Sequence, residues 1–192
     1  MTTNFPSGLD AFTNPSATDA MDSVTVPHAT QHADLNDAVE ALQAKVGVDG
    51  SAVTTSLDYK VGLLPTGHVG SQTKSVSSVI TTTPNTLLST TVDVVAGRDY
   101  LVMYSGWTYA TSTTMNVEFV LLLDGVSYQV MNVSIDATGD NGNNTMARVI
   151  TAPTTGSVTF EVQAYTSTGT TYMRATSGAI KPSIMIIDVG DQ

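Results

Sequence analysis

Val158-Thr159-Phe160-Glu161-Val162-Gln163-Ala164 alternates apolar and polar side chains at every step. That is the period-two pattern of a strand with one face buried and the other wet. Upstream, the apolar run Val117 to Leu123 stops at Asp124-Gly125 and resumes as Tyr128 to Ile135. Asp-Gly accepts the positive φ angles of a two-residue hairpin, so these stretches read as neighbouring antiparallel strands. Further out lie Val76, Val79 and Thr81, a turn at Pro84-Asn85, then Leu87, Leu88, Val92, Val94 and Val95. After a break at Ala96-Gly97-Arg98-Asp99, Tyr100 to Tyr109 alternates again, with Leu101, Met103, Ser105 and Trp107 on one side. Gly139 to Asn144 reads as a polar turn; Met146 to Thr151, Tyr172 to Ala175 and Ile184 to Val189 close the set. Roughly eight or nine short strands between Gly, Pro, Asn and Asp turns predict a two-sheet antiparallel sandwich over residues 74–192. Phe119 to Leu123 is apolar on both sides, so its second face is expected to meet a helix, a loop or another subunit, of which subunit contact is preferred.

Composition narrows the function. The chain has 192 residues, 7 Lys+Arg against 17 Asp+Glu, a net charge of -10 and no cysteine. A nucleic-acid partner is not expected, because phosphate recognition needs a basic face. Disulfides, thiolate metal sites and cysteine nucleophiles are excluded outright. The apolar runs are far shorter than the roughly 18 residues a membrane helix requires, and no secretory leader is read at Met1 to Pro6, so no membrane partner is expected.

Ahead of the sandwich, residues 1–27 hold Pro6, Pro15 and Pro27 and read as an extended arm. Phe5, Leu9 and Phe12 are its candidates for docking into a partner's grooves. Residues 28–47 read as an oligomerising helix, its clear run going from Thr30, the expected N-cap, to Val46 before Gly47 as the stop. Leu35, Val39, Leu42 and Val46 follow one another at spacings of four, three and four, and His32 extends the row upstream. So narrow a row suits a seam between helices from several copies. The other possibility is that the helix lies on its own chain's β domain. Val at a with Leu at d leans toward two strands in a parallel coil, so a trimer would have to be imposed by the downstream domain. Residues 48–73 read as a flexible or extended connector with one short strand near Leu57 to Val61.

The stretch His32-Ala33-Asp34-Leu35-Asn36-Asp37-Ala38, continuing through Glu40-Ala41-Leu42, Lys45-Val46-Gly47, Asp49-Gly50-Ser51-Ala52-Val53 and Ser56-Leu57-Asp58-Tyr59, resembles a segment of tailed-bacteriophage virion proteins, particularly those of actinobacterial hosts. Pro182-Ser183-Ile184-Met185-Ile186-Ile187-Asp188-Val189-Gly190 is similar to the C-termini of such proteins. Val95-Ala96-Gly97-Arg98-Asp99-Tyr100-Leu101 resembles a strand-turn-strand of phage collar, fibre and decoration domains of jelly-roll type. The resemblance implies a mainly β protein with a jelly-roll-like sandwich, an N-terminal arm and one short helix. It implies a minor tail protein, head fibre or capsid decoration on the particle surface. Its partners would be copies of itself, a trimer among them, and a major capsid, tail or collar protein. The chain has no long repeat or collagen-like shaft, which favours a short knob over a long receptor-reaching fibre.

Candidate chemistry is sparse. His28 and His32 lie four apart on one helix face, but Ala29 stands where a zinc protease needs Glu. A ring of His32 copies would hold an anion or metal, or respond to pH; ordinary exposed histidines are the simpler account. His68 lies in the Gly-flanked connector and reads as solvated. Asp136, Asp140, Asn141, Asn143 and Asn144 gather oxygen ligands, yet their spacing misses the EF-hand pattern and suits a plain turn. There is no G-x-S-x-G elbow, and all three histidines precede the sandwich. Glu118 and Glu161 are glycosidase candidates by default only. Trp107, Tyr104, Tyr109, Tyr165 and Tyr172 are candidates for a sugar-stacking patch, the basis of an alternative reading as a receptor- or glycan-binding adhesin. The expectation is a non-enzyme with no catalytic residues, cofactor or metal.

Overall fold

The computed structural model describes residues 18, 20–22, 24, 28–110, 115–136, 138–139, 141–175 and 181–190. Phe5, Leu9 and Phe12 lie outside the described residues. The chain divides into two units, residues 1–64 and 65–192.

The first unit carries helix α1, His28–Val46. It begins at His28, where the expected segment starts, so Thr30 falls in its first turn and is not the N-cap. It ends as the sequence predicts: Gly47 has φ +88°, and its amide donates to the Gln43 carbonyl at 2.8 Å. The expected short strand at Leu57 to Val61 is instead a helix, α2, Leu57–Gly62. Its cap explains the difference. Ser56 is fully buried, its hydroxyl accepts from the Tyr59 amide at 3.2 Å, and the same hydroxyl donates to the Val53 carbonyl at 2.8 Å. The Ser51 amide also donates to Asp58 Oδ2 at 2.8 Å. These local bonds give residues 51–59 a defined fold where a flexible or extended joint was expected.

The second unit is an antiparallel sandwich. Its strands are β1 Gly67–Thr73, β2 Ser78–Ile80, β3 Asn85–Val94, β4 Asp99–Ala110, β5 Met115–Leu123, β6 Val126–Ile135, β7 Asn141–Thr151, β8 Gly156–Thr166, β9 Thr171–Met173 and β10 Ser183–Gly190. One sheet runs β3-β8-β5-β6; the other carries β1-β10-β4, with β7 on the free side of β4 and β9-β2 extending the sheet. β10 and β9 pair in turn with the same edge of β4, and β1 and β2 lie beyond them, so β10 with β9 forms one interrupted strand position and β1 with β2 the next. Counting them so, the two sheets have the strand order of a jelly roll. The sandwich therefore begins with β1, inside the stretch read from sequence as connector. Likewise Asn141–Asn144, expected as a turn, open β7.

Both sheets turn apolar side chains inward. Tyr100, Val102, Tyr104, Ile184 and Ile186 face Val117, Phe119, Leu121, Phe160 and Val162 across one core, all at most 2% exposed. Each large side chain so covered contributes about 1.5–3 kcal/mol. The sheets approach closely at Gly70, where a Cβ would overlap Val92 Cγ1. Asp124 and Gly125 have φ +46° and +79°, the paired positive angles that the Asp-Gly signal predicts for the β5–β6 hairpin. A register shift between Leu121 and Leu122 follows, and Leu122 is already 8% exposed in the single chain. The apolar run of β5 therefore needs no second subunit at Leu122. Among the described residues, no helix is long and apolar enough to cross a membrane.

Candidate assembly surface

α1 leaves its apolar row open. Leu35, Val39, Leu42 and Val46 are 55%, 43%, 51% and 45% exposed, whereas Asp34 on another stripe of the helix is buried. A helix normally covers its apolar side and wets its polar one; here the burial runs the other way. His32 stands at the upstream end of this row, with its Nε2 3.0 Å from that of His28 and the rings edge-to-face at 85°.

The two outer faces of the sandwich differ in chemistry. On β3-β8-β5-β6 most outward cross-strand partners are polar: Asp93 opposite Ser157, Thr91 opposite Thr159, Ser89 opposite Glu161, and Glu118 opposite both Tyr165 and Asn132, with Val120 opposite Val130 as an apolar exception. Ser157 donates to Asp93 at 2.9 Å, and the hydroxyls of Thr91 and Thr159 lie 3.0 Å apart. Tyr165 donates to the Glu118 carboxylate, and that bond, ahead of burial and the carboxylate's charge, holds the phenol above its usual pKa. On the six-stranded sheet, Leu101 stands between Val149 and Ile187, and Met103 between Ala147 and Met185. These six side chains point outward and remain partly or largely exposed. Sequence alternation found the row through Leu101 and Met103. It could not tell which side faced out, because Tyr100, Val102 and Tyr104 on the other side are also apolar.

The sequence-predicted chemistry is dispersed. Glu118 and Glu161 share a face, but register puts them four residues and one strand apart, about 14 Å. A glycosidase pair needs roughly 5–9.5 Å. Asn143 faces out opposite Trp107, while Asn144 is buried and donates to Thr108 at 3.2 Å. β7 thus sends two of the supposed calcium ligands to opposite faces; Asp140 lies outside the described residues. His68 is on β1, exposed and opposite Ile187. Among the described residues, no three His, Asp or Glu side chains gather at one point.

The aromatic patch divides as well. Tyr104 is in the core, 5.6 Å from the Phe119 ring, where burial pushes its hydroxyl pKa far up. Tyr165 belongs to the opposite sheet. Tyr109, Tyr172, Ser77 and Arg174 line a recess of about 310 Å³, with the Arg174 guanidinium 5.9 Å above the Tyr109 ring.

A buried ion pair escaped the sequence reading. Arg98 reaches Asp188 at 2.9 Å, and Asp188 also accepts from Thr66 at 2.6 Å and from the Gly190 amide at 2.8 Å. An Asp in an inward register position of an otherwise apolar strand was the available signal.

No protein-family model matches the chain, and no curated protein sequence matches it. Solved structures with some likeness include the Eiger TNF of S. frugiperda, at 11% identity over 67% of this chain and 94% of that one, with a TM-score of 0.42. The infectious bursal disease virus VP2 subviral particle matches at 12% identity over 66% of this chain and 38% of that one, TM-score 0.42. The sugar-binding EclA C-terminal domain matches at 13% identity over 59% and 76%, TM-score 0.33. Likeness this distant carries nothing about function; the strand order alone assigns the fold.

Proposed function

We propose that the protein is a non-enzymatic structural component of a phage virion, a short decoration- or fibre-like knob on the particle surface. Copies cluster through α1, residues 1–27 anchor the cluster to a capsid, tail or collar protein, and the jelly roll faces outward. The observation that carries this reading is the open row Leu35, Val39, Leu42 and Val46, an apolar stripe left to solvent in the single chain. The resemblance of the His32–Tyr59 stretch to tailed-phage virion proteins supports the location. Several arms on one cluster raise each other's effective concentration once the first has docked, which is how a weak arm becomes a firm anchor. Deleting residues 1–27 is expected to abolish incorporation into particles while the sandwich stays folded; incorporation at the normal level refutes the anchor.

A second reading, a glycan-binding adhesin, is favoured by the recess at Tyr109, Tyr172 and Arg174. Aromatic faces stack on sugar rings and the guanidinium supplies forked donors. Binding to a glycan array that Tyr172→Ala abolishes would establish it; an array with no binding removes it.

A further inference from the structure

We propose that the outer face of the six-stranded sheet is a second self-association surface, occupied by the same face of another copy. The proposal rests on the homo-oligomer reading above and gives the sandwich its own part in it. The face is centred on Leu101, Met103, Ala147, Val149, Met185 and Ile187, adjacent by strand register on β7, β4 and β10. Val149 alone is 47% exposed. Between Met103, Ala147 and Met185 the surface dips into a mainly apolar recess of about 290 Å³, open to a methionine from a facing molecule.

Charge selects the occupant. Each copy carries a net charge of -10, so contact between copies is least opposed where it neither brings carboxylates together nor strips water from them. The face offers that place. From the row of Leu101 to the row of Ser105, the paired positions are Val149, Ile187, His68, Ala147, Met185, Ser71, Thr145, Ser183 and Thr73, none of them Asp, Glu, Lys or Arg; Asp99, bonded by Thr151, borders the face one row before Leu101, and Arg174 borders it in the row of Trp107. The other sheet's outer face holds Asp93, Glu118 and Glu161, and pairing two such faces would strip water from carboxylates with no cation opposite. A basic partner would find one carboxylate, Asp99, at the rim and none within the apolar patch. A second copy loses nothing there by being acidic elsewhere.

The test is the solution mass of four full-length proteins: unsubstituted, Met103→Glu/Met185→Glu, Leu35→Asp/Leu42→Asp, and a control, Thr91→Glu/Thr159→Glu, on the opposite sheet. The face variant is expected to self-associate about a hundredfold more weakly or worse, with its β-sheet circular dichroism retained and the control unchanged. If the Glu pair prevents folding, Met103→Gln/Met185→Gln decides by the same shift. An unchanged mass for the face variant overturns the surface; if the helix variant then dissociates, the α1 reading stands without it. The converse result, dissociation of the face variant alone, leaves the surface standing and removes α1. A face variant of unchanged mass but lowered melting temperature shows a segment of the same chain covering the face, and also overturns the proposal. A mass of 20.0 kDa for the unsubstituted protein at all concentrations removes both.

Discussion

Arg98 and Asp188 meet inside the sandwich with Nη2 2.9 Å from Oδ2, both side chains at most 9% exposed, and so tie the β3–β4 turn to the last strand. Removing one member leaves the other charged and buried. Arg98→Leu is expected to lower unfolding free energy by about 3–5 kcal/mol in urea titration. Replacing both by apolar residues is expected to cost less than Arg98→Leu alone, because no orphan charge remains. Equal costs would show that the pair is solvated.

The same site makes acid stability predictable in sign. Burial alone would raise the Asp188 carboxyl, but Thr66, the Gly190 amide and Arg98 together outweigh it and hold its pKa below the usual carboxylate value. A depressed folded pKa contributes stability above the unfolded value of about 3.9 that is lost as pH falls through the folded one. The stability gap between the unsubstituted protein and Asp188→Asn is therefore expected to be full at neutral pH and to narrow below about pH 4. A gap that stays constant to pH 2 contradicts the assignment.

Gly70 predicts a pairwise effect. Its missing Cβ leaves room for Val92 from the opposite sheet. Gly70→Ala is expected to cost about 1–3 kcal/mol by overpacking. Combined with Val92→Ala, the loss should be smaller than the sum of the two single losses, since each relieves the other. Strict additivity in a thermal-melt cycle would contradict the contact.

The β5–β6 hairpin depends on backbone chemistry at one residue. Gly125→Val is expected to cost about 1–2 kcal/mol, the penalty of a left-handed conformation for a residue with a Cβ. Asp124 carries its own positive φ more easily, since its carboxylate accepts from the Thr159 amide at 2.7 Å. No change in melting temperature would contradict the turn.

What the sequence made legible followed from strong local patterns. Alternation from Val158 to Ala164, the Asp124-Gly125 turn and the glycine stop at Gly47 each map onto the element they predict. β1 was missed because Gly67 to Thr73 holds a single aliphatic side chain, Val69, and no alternation; its strand character comes from pairing with distant β10. α2 was read as a strand because six residues are too few to show helical periodicity, and the Ser56 cap that sets it is a single local signal that the strand reading passed over. The Arg98–Asp188 pair joins positions 90 apart, beyond any local pattern. The Tyr104, Tyr109 and Tyr165 candidates separated because strand parity and sheet membership, not composition, decide where an aromatic points.

The most direct test of self-association through α1 uses the absence of cysteine from the chain. A single Leu42→Cys in the full-length protein, mildly oxidised, is expected to give covalent dimers, because Leu42 lies on the open apolar row. Glu40→Cys, on another side of the same helix, is expected to stay at 20.0 kDa. Failure of Leu42→Cys to cross-link, or equal cross-linking at both positions, would contradict the account.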